Sequence, residues 1–491
     1  MSRLTNQSLT SLHPDVAVPT YDRASLSPAV VHLGVGGFHR SHEAMYLDRL
    51  LNDGGDPSWS VCGVGTLPAD RAMQLALEPQ DCLYTLVLKG TDGTVTPRVI
   101  GSIARYLHSP ADPAAVVARM SDPVTRIVSL TITEGGYHVG DATGEFEAPQ
   151  AVLADLEPGA EPRTVFGMVI AALDQRRLAG SPGFTILSCD NITGNGDVAR
   201  RSFTAYAEMK SPELARWIRD NVTFPCSMVD RITPMTVDQD RRDLLERFGV
   251  EDAWPVVAEP FTQWVLQDQF IAGRPDLQDV GVQLVDDVEP YELMKLRLLN
   301  ASHQVVGYLG HLGGHRYVHE VCQDSTYSSA LTRYMRDEAT PTLPPLPGID
   351  LDDYRRTLME RFCNPHIGDT LARNCIDGSD RIPKFVLPVV RDQLRLGGEI
   401  TVAVTAVAAW ARYLEGVDEQ GRPYDVVDRR SAELAPLVAR QREHPDALLA
   451  ASAVFGDLGA EPRFVSAYVG ALEALRDTGA RAVVRSLSGP A

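Results

Sequence analysis

Residues 29–40, AVVHLGVGGFHR, combine a strand pattern, a glycine-rich turn and the start of a helix. The apolar run Ala29 to Leu33 predicts a short buried strand, and a helical pattern extends from about Phe38 to Leu51. Glycines between strand and helix let the backbone turn sharply and approach a pyrophosphate at the helix N-terminus. This order therefore predicts a dinucleotide-binding turn, with cofactor contacts from Gly34, Gly36, Gly37 and Phe38.

His39 departs from the usual glycine pattern, because it occupies the place of the third glycine in G-x-G-x-x-G. The sequence thus predicts either looser packing between helix and strand or a role for the histidine side chain. A plain glycine-rich turn that only joins two elements is the alternative, and the motif alone leaves it open.

Strand-like and helix-like segments alternate through the first half of the chain. Short apolar runs separated by helices are typical of a parallel sheet covered on both faces, so we predict an α/β fold with a doubly wound, Rossmann-type sheet. Further strands are predicted over Ser60 to Val64, Arg126 to Ile132 and Phe184 to Ser188, and a helix over Thr164 to Ala179. The period-two alternation of Asp81 to Ile103 predicts an antiparallel hairpin inserted in this sheet.

A length of 491 residues exceeds what one hydrophobic core usually holds. Helical periodicity replaces the strand signals after about residue 285. We predict a dinucleotide-binding domain over residues 1–285 and a mainly α-helical substrate and catalytic domain over residues 286–491. The predicted helices of the second domain are Glu292 to Leu312, Tyr354 to Arg361, Ile400 to Leu414, Ala432 to Arg442 and Arg463 to Asp477.

Composition restricts partners and compartment. Asp and Glu number 65 against 46 Lys and Arg, a formal net charge of −19 that argues against nucleic acid and membrane surfaces as partners. The acidic surface without an apolar stripe favours a monomer that acts on a small molecule. Seven cysteines without a C-x-x-C pair, and a polar N-terminus, predict a reduced, cytoplasmic protein.

Polar residues follow three of the predicted strands, at the edge where open α/β sheets bind ligands. After the second strand, Asp70 would accept hydrogen bonds from the ribose of NAD and repel the 2′-phosphate of NADP. It would equally serve as an N-cap or first-turn acid, and the neighbouring Arg71 leaves NADP open as the cofactor. Glu134 and Asn191 follow two later strands and are further candidates, with a structural role in turns as the alternative.

Four polar residues share one face of an otherwise apolar helix over Tyr291 to His303. At about 100° per residue, Glu292 lies roughly 60° from Lys295. His303 and Asn300 lie roughly 80° and 140° from it, whereas Arg297 points elsewhere. A solvated face is the common explanation for such residues, but the apolar flanks predict burial, and buried polar groups need partners.

This set suits hydride transfer from a secondary alcohol without a metal. A lysine acts as general base when burial and nearby positive charge lower its pKa towards neutrality, and an oxidised nicotinamide carries such a charge. Asparagine amides hydrogen-bond a developing alkoxide, and a histidine donates to a neighbouring hydroxyl.

These residues together resemble the mannitol dehydrogenase family, the polyol-specific long-chain dehydrogenases and reductases. Residues 224–234, FPCSMVDRITP, fit the family signature F-x-x-[small]-x-V-D-R-[IV]-x-P throughout. The spacing of Lys295, Asn300 and His303 is similar to the family motif K-x-x-x-x-N-x-x-H. Further similar segments begin at Gly34, Thr133, Ser188, Glu259 and Asn364, so the likeness extends from about residue 25 to the C-terminus.

The resemblance implies a Rossmann domain with insertions, a mostly helical C-terminal domain and a site in the cleft between them. It also implies reversible, metal-free oxidation of a polyol at C2 to a ketose with NAD(P). The candidate polyols are D-mannitol, D-arabinitol and D-sorbitol, and the ketoses are D-fructose and D-xylulose. The acidic pair frequent in NAD-preferring members is reduced to Asp70, since Ala69 precedes it, and NAD is the predicted cofactor.

The resemblance also implies residue roles. Lys295 would be the general acid/base, and Asn191 and Asn300 would stabilise the alkoxide. The other substrate hydroxyls would be held by Asp230, Arg373 and His303. Glu292 would pass the proton between Lys295 and solvent.

Three other functions stay open on the sequence. Fructuronate and tagaturonate reductases of the same family bind a carboxylate and would benefit from an extra basic residue near Arg373 and Lys384. His311, His315 and His319 are spaced by four and would align imidazoles for zinc or iron, although glycines interrupt their helix. A catalytically inactive NAD-binding regulator is the third, against which the complete polar set of the helix argues.

Overall fold

The computed structural model describes residues 2–140 and 143–488, and the chain divides into two compact units, Met1–Glu289 and Pro290–Ala491. The strands are β1 Ser2–Arg3, β2 Val30–Leu33, β3 Val61–Gly65, β4 Tyr84–Lys89, β5 Val95–Ile100, β6 Ile103–His108, β7 Ile127–Leu130, β8 Thr185–Ser188, β9 Ser227–Asp230, β10 Val250–Glu251, β11 Val256–Ala258, β12 Gln263–Gln267 and β13 Gln283–Val285. The α-helices of the first unit are α1 Gly37–Ser41, α2 Glu43–Asn52, α3 Arg71–Leu77, α4 Pro113–Ser121, α5 Gln150–Ala154, α6 Val165–Leu178, α7 Asn195–Lys210, α8 Pro212–Asn221 and α9 Asp238–Phe248.

A parallel sheet in the order β6-β3-β2-β7-β8 forms the centre of the first unit. Every residue of β2, β3, β7 and β8 is buried, because helices cover both faces. Side chains of a strand alternate between faces, so Val31 and Leu33 enter one core cluster and Val30 enters the other. The predicted doubly wound α/β sheet is confirmed. Its order reverses between β2 and β7, which places a crevice at the carboxyl ends of these two strands.

The hairpin predicted over Asp81 to Ile103 is present, but its insertion in the central sheet is wrong. Strands β4 and β5 pair antiparallel, and β4 then pairs in parallel with β11, which makes a separate sheet. The partner of Leu86 is Val256, and a pairing between such distant segments leaves no trace in the local alternation. Strands β9, β12 and β13 form another small sheet.

The second unit is helical, as predicted. Its α-helices are α10 Glu289–Met294, α11 Ala301–Leu312, α12 Val318–Gln323, α13 Ser325–Arg333, α14 Leu351–Phe362, α15 Leu371–Asn374, α16 Gly378–Arg381, α17 Leu387–Leu396, α18 Thr401–Tyr413, α19 Ser431–Arg440, α20 Ser452–Phe455, α21 Pro462–Thr478 and α22 Ala480–Leu487. Helix α18 is apolar on all sides and lies in the core, where it packs against α11 and α21. Among the described residues, no helix has both the length and the apolar character that a membrane crossing requires.

Two predicted helices are interrupted. The helix predicted over Phe38 to Leu51 breaks at His42 into α1 and α2. The helix predicted over Glu292 to Leu312 contains a π-helical turn, Lys295–Asn300, between α10 and α11. We call it the first π turn; the second π turn is Tyr334–Ala339 and the third is Ile382–Val386.

Candidate active site

The glycine-rich turn lies at the carboxyl end of β2, where the crevice of the sheet opens. Gly34 has a φ of +100°, and a Cβ atom there would lie 2.2 Å from the carbonyl oxygen of Thr131, the residue that follows β7. A side chain is therefore excluded at this position. Gly36 precedes α1 and Gly37 begins it, and the half-buried Phe38 stacks on His42 at 4.9 Å.

His39 has a packing role beneath this turn. Its imidazole stacks on that of His32 in β2, with ring centroids 3.5 Å apart, and both rings are fully buried. Burial lowers the pKa of His39 well below its usual range, so this ring is neutral. His32 hydrogen-bonds Ser129 and Thr131 at 2.8 and 2.9 Å. The aromatic stack fills the space between helix and strand that a third glycine would leave open.

Within the part of the chain that the structure describes, one group of side chains has the composition of a metal site. It consists of His32, His39 and Glu43, all buried. The two rings are parallel within 11°, so their in-plane lone pairs do not converge on one ion, and both nitrogens of His32 already have partners. The arrangement does not fit a metal centre.

The histidines spaced by four in the second unit pack separately against aromatic rings. His311 contacts Tyr413 and Tyr424, whereas His315 contacts Tyr327. His319 stacks on Tyr317. Among the described residues they do not form a group that could hold an ion, so the structure gives no support to the metal-dependent alternative.

Asp70 closes the turn that follows β3. Its Oδ2 accepts hydrogen bonds from the backbone N–H groups of Thr66 and Leu67 at 2.8 and 2.9 Å. Asp70 therefore closes the short 3₁₀ turn Pro68–Asp70, whereas its side chain makes no cap hydrogen bond to the following helix α3. Both of its backbone bonds use the same oxygen. Arg71 lies next to it, exposed, and its guanidinium donates to Gln74.

A buried carboxylate joins the ends of β7 and β8. Asp190 accepts hydrogen bonds from the N–H groups of Ile132 and Thr133 at 3.0 and 2.8 Å and from the hydroxyl of Tyr137 at 2.7 Å. The exposed residues Glu134 and Asn191 follow these anchors directly. Asp190 thus has a structural role, because it fixes the backbone segment that precedes Glu134 and directly precedes Asn191 itself.

The V-D-R motif holds three segments of the first unit together at the end of β9. The guanidinium of Arg231 donates to the carbonyl oxygen of Glu259 at 3.0 and 2.8 Å and to that of Ser41, after the glycine-rich turn, at 2.5 Å. The Glu259 carboxylate accepts the N–H of Ile232 at 2.6 Å. Asp230 is the last residue of β9 and is buried. The motif thus ties α1 to the strand that carries Asp230.

The first π turn begins at Lys295 and ends at Asn300. Lys295, Glu292 and His303 are buried, and Asn300 is half-buried. The predicted separation of Asn300 and Lys295 around the helix is wrong, because it assumed an α-helix. In a π turn residue i+5 bonds back to residue i, which brings Asn300 to the side of the helix that carries Lys295. Among the described residues, the buried Oδ1 of Asn300 has no hydrogen-bond partner.

A carboxylate that is not among the predicted site residues, Asp369, lies between two predicted substrate-binding residues. Asp369 Oδ1 accepts from Arg373 Nε at 2.9 Å and pairs with Arg373 Nη2 at 2.8 Å. Its Oδ2 lies 3.8 Å from His303 Nε2. Asp369 is buried, whereas the Arg373 side chain is 53% exposed. Lys384 is exposed on the third π turn.

Two family models match the chain. The model described as the mannitol dehydrogenase Rossmann domain matches residues 28–279, and that of the mannitol dehydrogenase C-terminal domain matches residues 287–476. A relative named mannitol 2-dehydrogenase from Phaeosphaeria nodorum is 46% identical over 98% of this chain and 85% of its own. Mannitol dehydrogenase 2 of Saccharomyces cerevisiae is 42% identical over 99% of this chain and 97% of its own.

Solved structures agree with these matches over the whole chain. The ternary complex of Pseudomonas fluorescens mannitol 2-dehydrogenase with NAD and D-mannitol is 45% identical, with a TM-score of 0.90 and complete coverage of both chains. A substrate-free D-sorbitol dehydrogenase is 37% identical, with a TM-score of 0.91, and the match covers 98% of this chain and 100% of that one.

Proposed function

Since the chain belongs to the mannitol dehydrogenase family, we propose that it interconverts D-mannitol and D-fructose by hydride exchange with NAD. It is an NAD-dependent polyol dehydrogenase, and D-arabinitol and D-sorbitol are the further candidate substrates. The observation that carries the choice of chemistry is the first π turn, because it begins at a buried lysine and ends at an asparagine, whose side-chain NH2 can donate to a developing alkoxide. A base beside an amide is what alcohol oxidation requires.

The first unit has the features that hold a dinucleotide. Because Gly34 has no side chain, its backbone lies close to the end of β7. The start of α1 offers backbone N–H groups to the pyrophosphate. Asp70 uses Oδ2 for its turn, so Oδ1 is the atom that would accept from the ribose. NAD held by these residues would supply the acceptor for the hydride of the carbinol carbon. Exposed Asn191 offers an amide donor on this unit.

The second unit supplies the groups that transfer the proton and those that bind the other hydroxyls of the substrate. In polyol oxidation, Lys295 Nζ takes the hydroxyl proton. The carbinol hydrogen leaves as a hydride with the C–H bonding electrons, and a ketone remains. The amide of Asn300 stabilises the oxygen as its charge develops. Glu292, three residues before Lys295 on the preceding helix, passes the proton on towards solvent. His303 and Arg373 hold the other hydroxyls.

The pair of Asp369 and Arg373 favours a neutral polyol over a hexuronate. A carboxylated substrate needs a cation that is free to meet it, and here a buried carboxylate balances the guanidinium at 2.8 Å. We therefore expect Asp369→Asn to raise kcat/KM for fructuronate relative to fructose by about tenfold or more, because it removes one negative charge and keeps the shape.

Asp418→Asn is the matched control for that variant, since Asp418 and Arg422 form another pair at the same i, i+4 spacing. It should leave the ratio unchanged. An unchanged ratio in Asp369→Asn would refute the assignment of Asp369 as the group that disfavours hexuronates.

NADH formation across a panel of polyols tests the function as a whole. D-mannitol should give the highest kcat/KM, ahead of D-arabinitol and D-sorbitol, and hexuronates should be poor substrates in the reverse direction. A hexuronate turned over faster than fructose would replace the proposal with the hexuronate reductase alternative. Binding of NADH without turnover of any substrate would favour the inactive regulator. Light scattering and cell fractionation check the remaining predictions of a monomer in the cytoplasm.

The carboxylate of Asp70 should make the enzyme prefer NAD to NADP. Asp70→Asn keeps an acceptor oxygen for the turn and removes the charge that would face a 2′-phosphate. The ratio of kcat/KM for NADP to that for NAD should rise by about tenfold or more, since two like charges cost on the order of 1–2 kcal/mol near a surface. Asp22→Asn removes the charge of another capping aspartate, which accepts the N–H of Ala24, and should change nothing. A wild-type preference for NADP would contradict the role of Asp70 and point to Arg71.

A further inference from the structure

Two of the three π turns found among the described residues of the second unit are joined by a buried hydrogen bond. The hydroxyl of Tyr334, the first residue of the second π turn, donates to the carbonyl oxygen of Arg297 in the first π turn at 3.0 Å. We propose that Tyr334 is a positioning residue, which holds open the turn that presents Lys295 and Asn300. The proposal rests on the function proposed above for these two residues.

The first π turn sets the geometry between its end residues. In an α-helix a separation of five residues would place Lys295 and Asn300 about 140° apart. The i→i+5 pattern brings them to the same side of the helix. A return to α-helical bonding would rotate one of the two groups away from the other. The width of this turn is therefore a condition for lysine and asparagine to act on one oxygen.

A π turn needs support from outside the helix. When bonding returns from i→i+5 to i→i+4, one backbone carbonyl of the wide turn is left without an amide donor. A buried carbonyl without a partner costs about 1–3 kcal/mol. The phenol of Tyr334 supplies a donor to Arg297, in the middle of the turn. Tyr334 is fully buried, and burial holds the pKa of its hydroxyl well above its usual range, so it donates at every working pH.

The segment that carries the Tyr334 hydroxyl is itself anchored to the core of the unit. The second π turn contains Glu338, whose carboxylate accepts the N–H groups of Val402 and Ala403 at 2.6 and 2.8 Å, at the start of the core helix α18. The hydroxyl of Tyr334 thus comes from a segment anchored on the centre of the unit. A donor anchored in this way can oppose the return of the first π turn to α-helical bonding.

The side chain of Arg297 gives the turn a second anchor. Its guanidinium donates to the carbonyl oxygen of Thr342 at 2.6 Å and pairs with Asp392 at 2.7 Å. Arg297, expected to point away from the site, is buried and holds the middle of the turn through both its backbone and its side chain. Weakening either of these two contacts of Arg297 should displace Lys295 and Asn300.

Tyr334→Phe tests the proposal with the full-length enzyme. The kcat for D-mannitol oxidation should fall by about 10- to 100-fold, since a displacement of about 1 Å costs up to about 10²-fold in rate. The KM for NAD should stay within about twofold of the wild type. Tyr424→Phe is the matched control, because this phenol also donates to a backbone carbonyl, that of Tyr413, at 2.8 Å. It should leave kcat unchanged.

A second measurement does not depend on activity. Competitive labelling of amines with acetic anhydride, read by mass spectrometry, should show a changed modification rate of Lys295 in Tyr334→Phe and none in Tyr424→Phe. Asp392→Asn should give the same pattern in weaker form. Unchanged kcat and unchanged labelling in Tyr334→Phe would overturn the proposal. If the wild type oxidises no polyol, the proposed function fails, whereas the labelling result still decides whether Tyr334 holds the turn.

Discussion

Replacing Lys295 with methionine should reduce kcat for polyol oxidation by about 10²- to 10⁴-fold, the contribution typical of a general acid–base group. The lysine is buried at the start of the first π turn, and methionine fills the space of its stem without offering a base. Binding of NAD should be largely kept, because the glycine-rich turn belongs to the other unit. The pH profile of the wild-type rate should show an ionisation that is absent from the variant.

Three further observations separate a base from a binding residue at this position. Lys210→Met, at the end of α7, should leave the rate unchanged and controls for the loss of a lysine. A primary amine added to Lys295→Ala should restore part of the activity. If Lys295→Met kept kcat within a few-fold and raised only the KM for the polyol, Lys295 would be a binding residue, and His303 would be the next candidate for the base.

Four strands of the central sheet, β2, β3, β7 and β8, could be predicted because their signals are local: each is a short buried run, and the glycines after Leu33 stand directly between a strand and a helix. The fifth strand, β6, was not predicted, because exposed and buried positions are mixed along it. The pairing of β4 with β11 could not be predicted, since Leu86 and Val256 approach only in the folded chain. The choice of partner for a strand edge depends on the tertiary structure, which no local alternation reports.

The residues of the candidate site could be predicted better than their geometry. Lys295, Asn300 and His303 were found from their spacing, but residues 295–300, KLRLLN, suit an α-helix and a π turn equally. The contact that accompanies the π turn comes from Tyr334, far along the chain. The pairing of Asp369 with Arg373 had no such signal, because Asp369 precedes the N-cap of α15 and lies outside the helix that carries Arg373.

Gly34→Ala should weaken NAD binding by at least about 100-fold and lower the melting temperature by on the order of 5–10 °C. The Cβ atom would lie 2.2 Å from the carbonyl oxygen of Thr131 and 2.9 Å from its carbonyl carbon. Both are backbone atoms at the end of β7, so relief requires movement of the strand ends that form the crevice. The φ of +100° adds strain, and strain with overpacking costs about 2–4 kcal/mol. Titration with NAD and thermal unfolding measure the two effects.

Gly281→Ala separates the collision from the backbone strain. Gly281 has a similar φ of +94°, but no atom lies within 4 Å of its expected Cβ, so this variant carries the strain without the clash. We expect it to lower the melting temperature slightly and to bind NAD like the wild type. If Gly34→Ala were destabilised but bound NAD with unchanged affinity, the glycine-rich turn would only join β2 to α1. The cofactor contacts assigned to Gly34, Gly36 and Gly37 would then have to lie elsewhere on the unit.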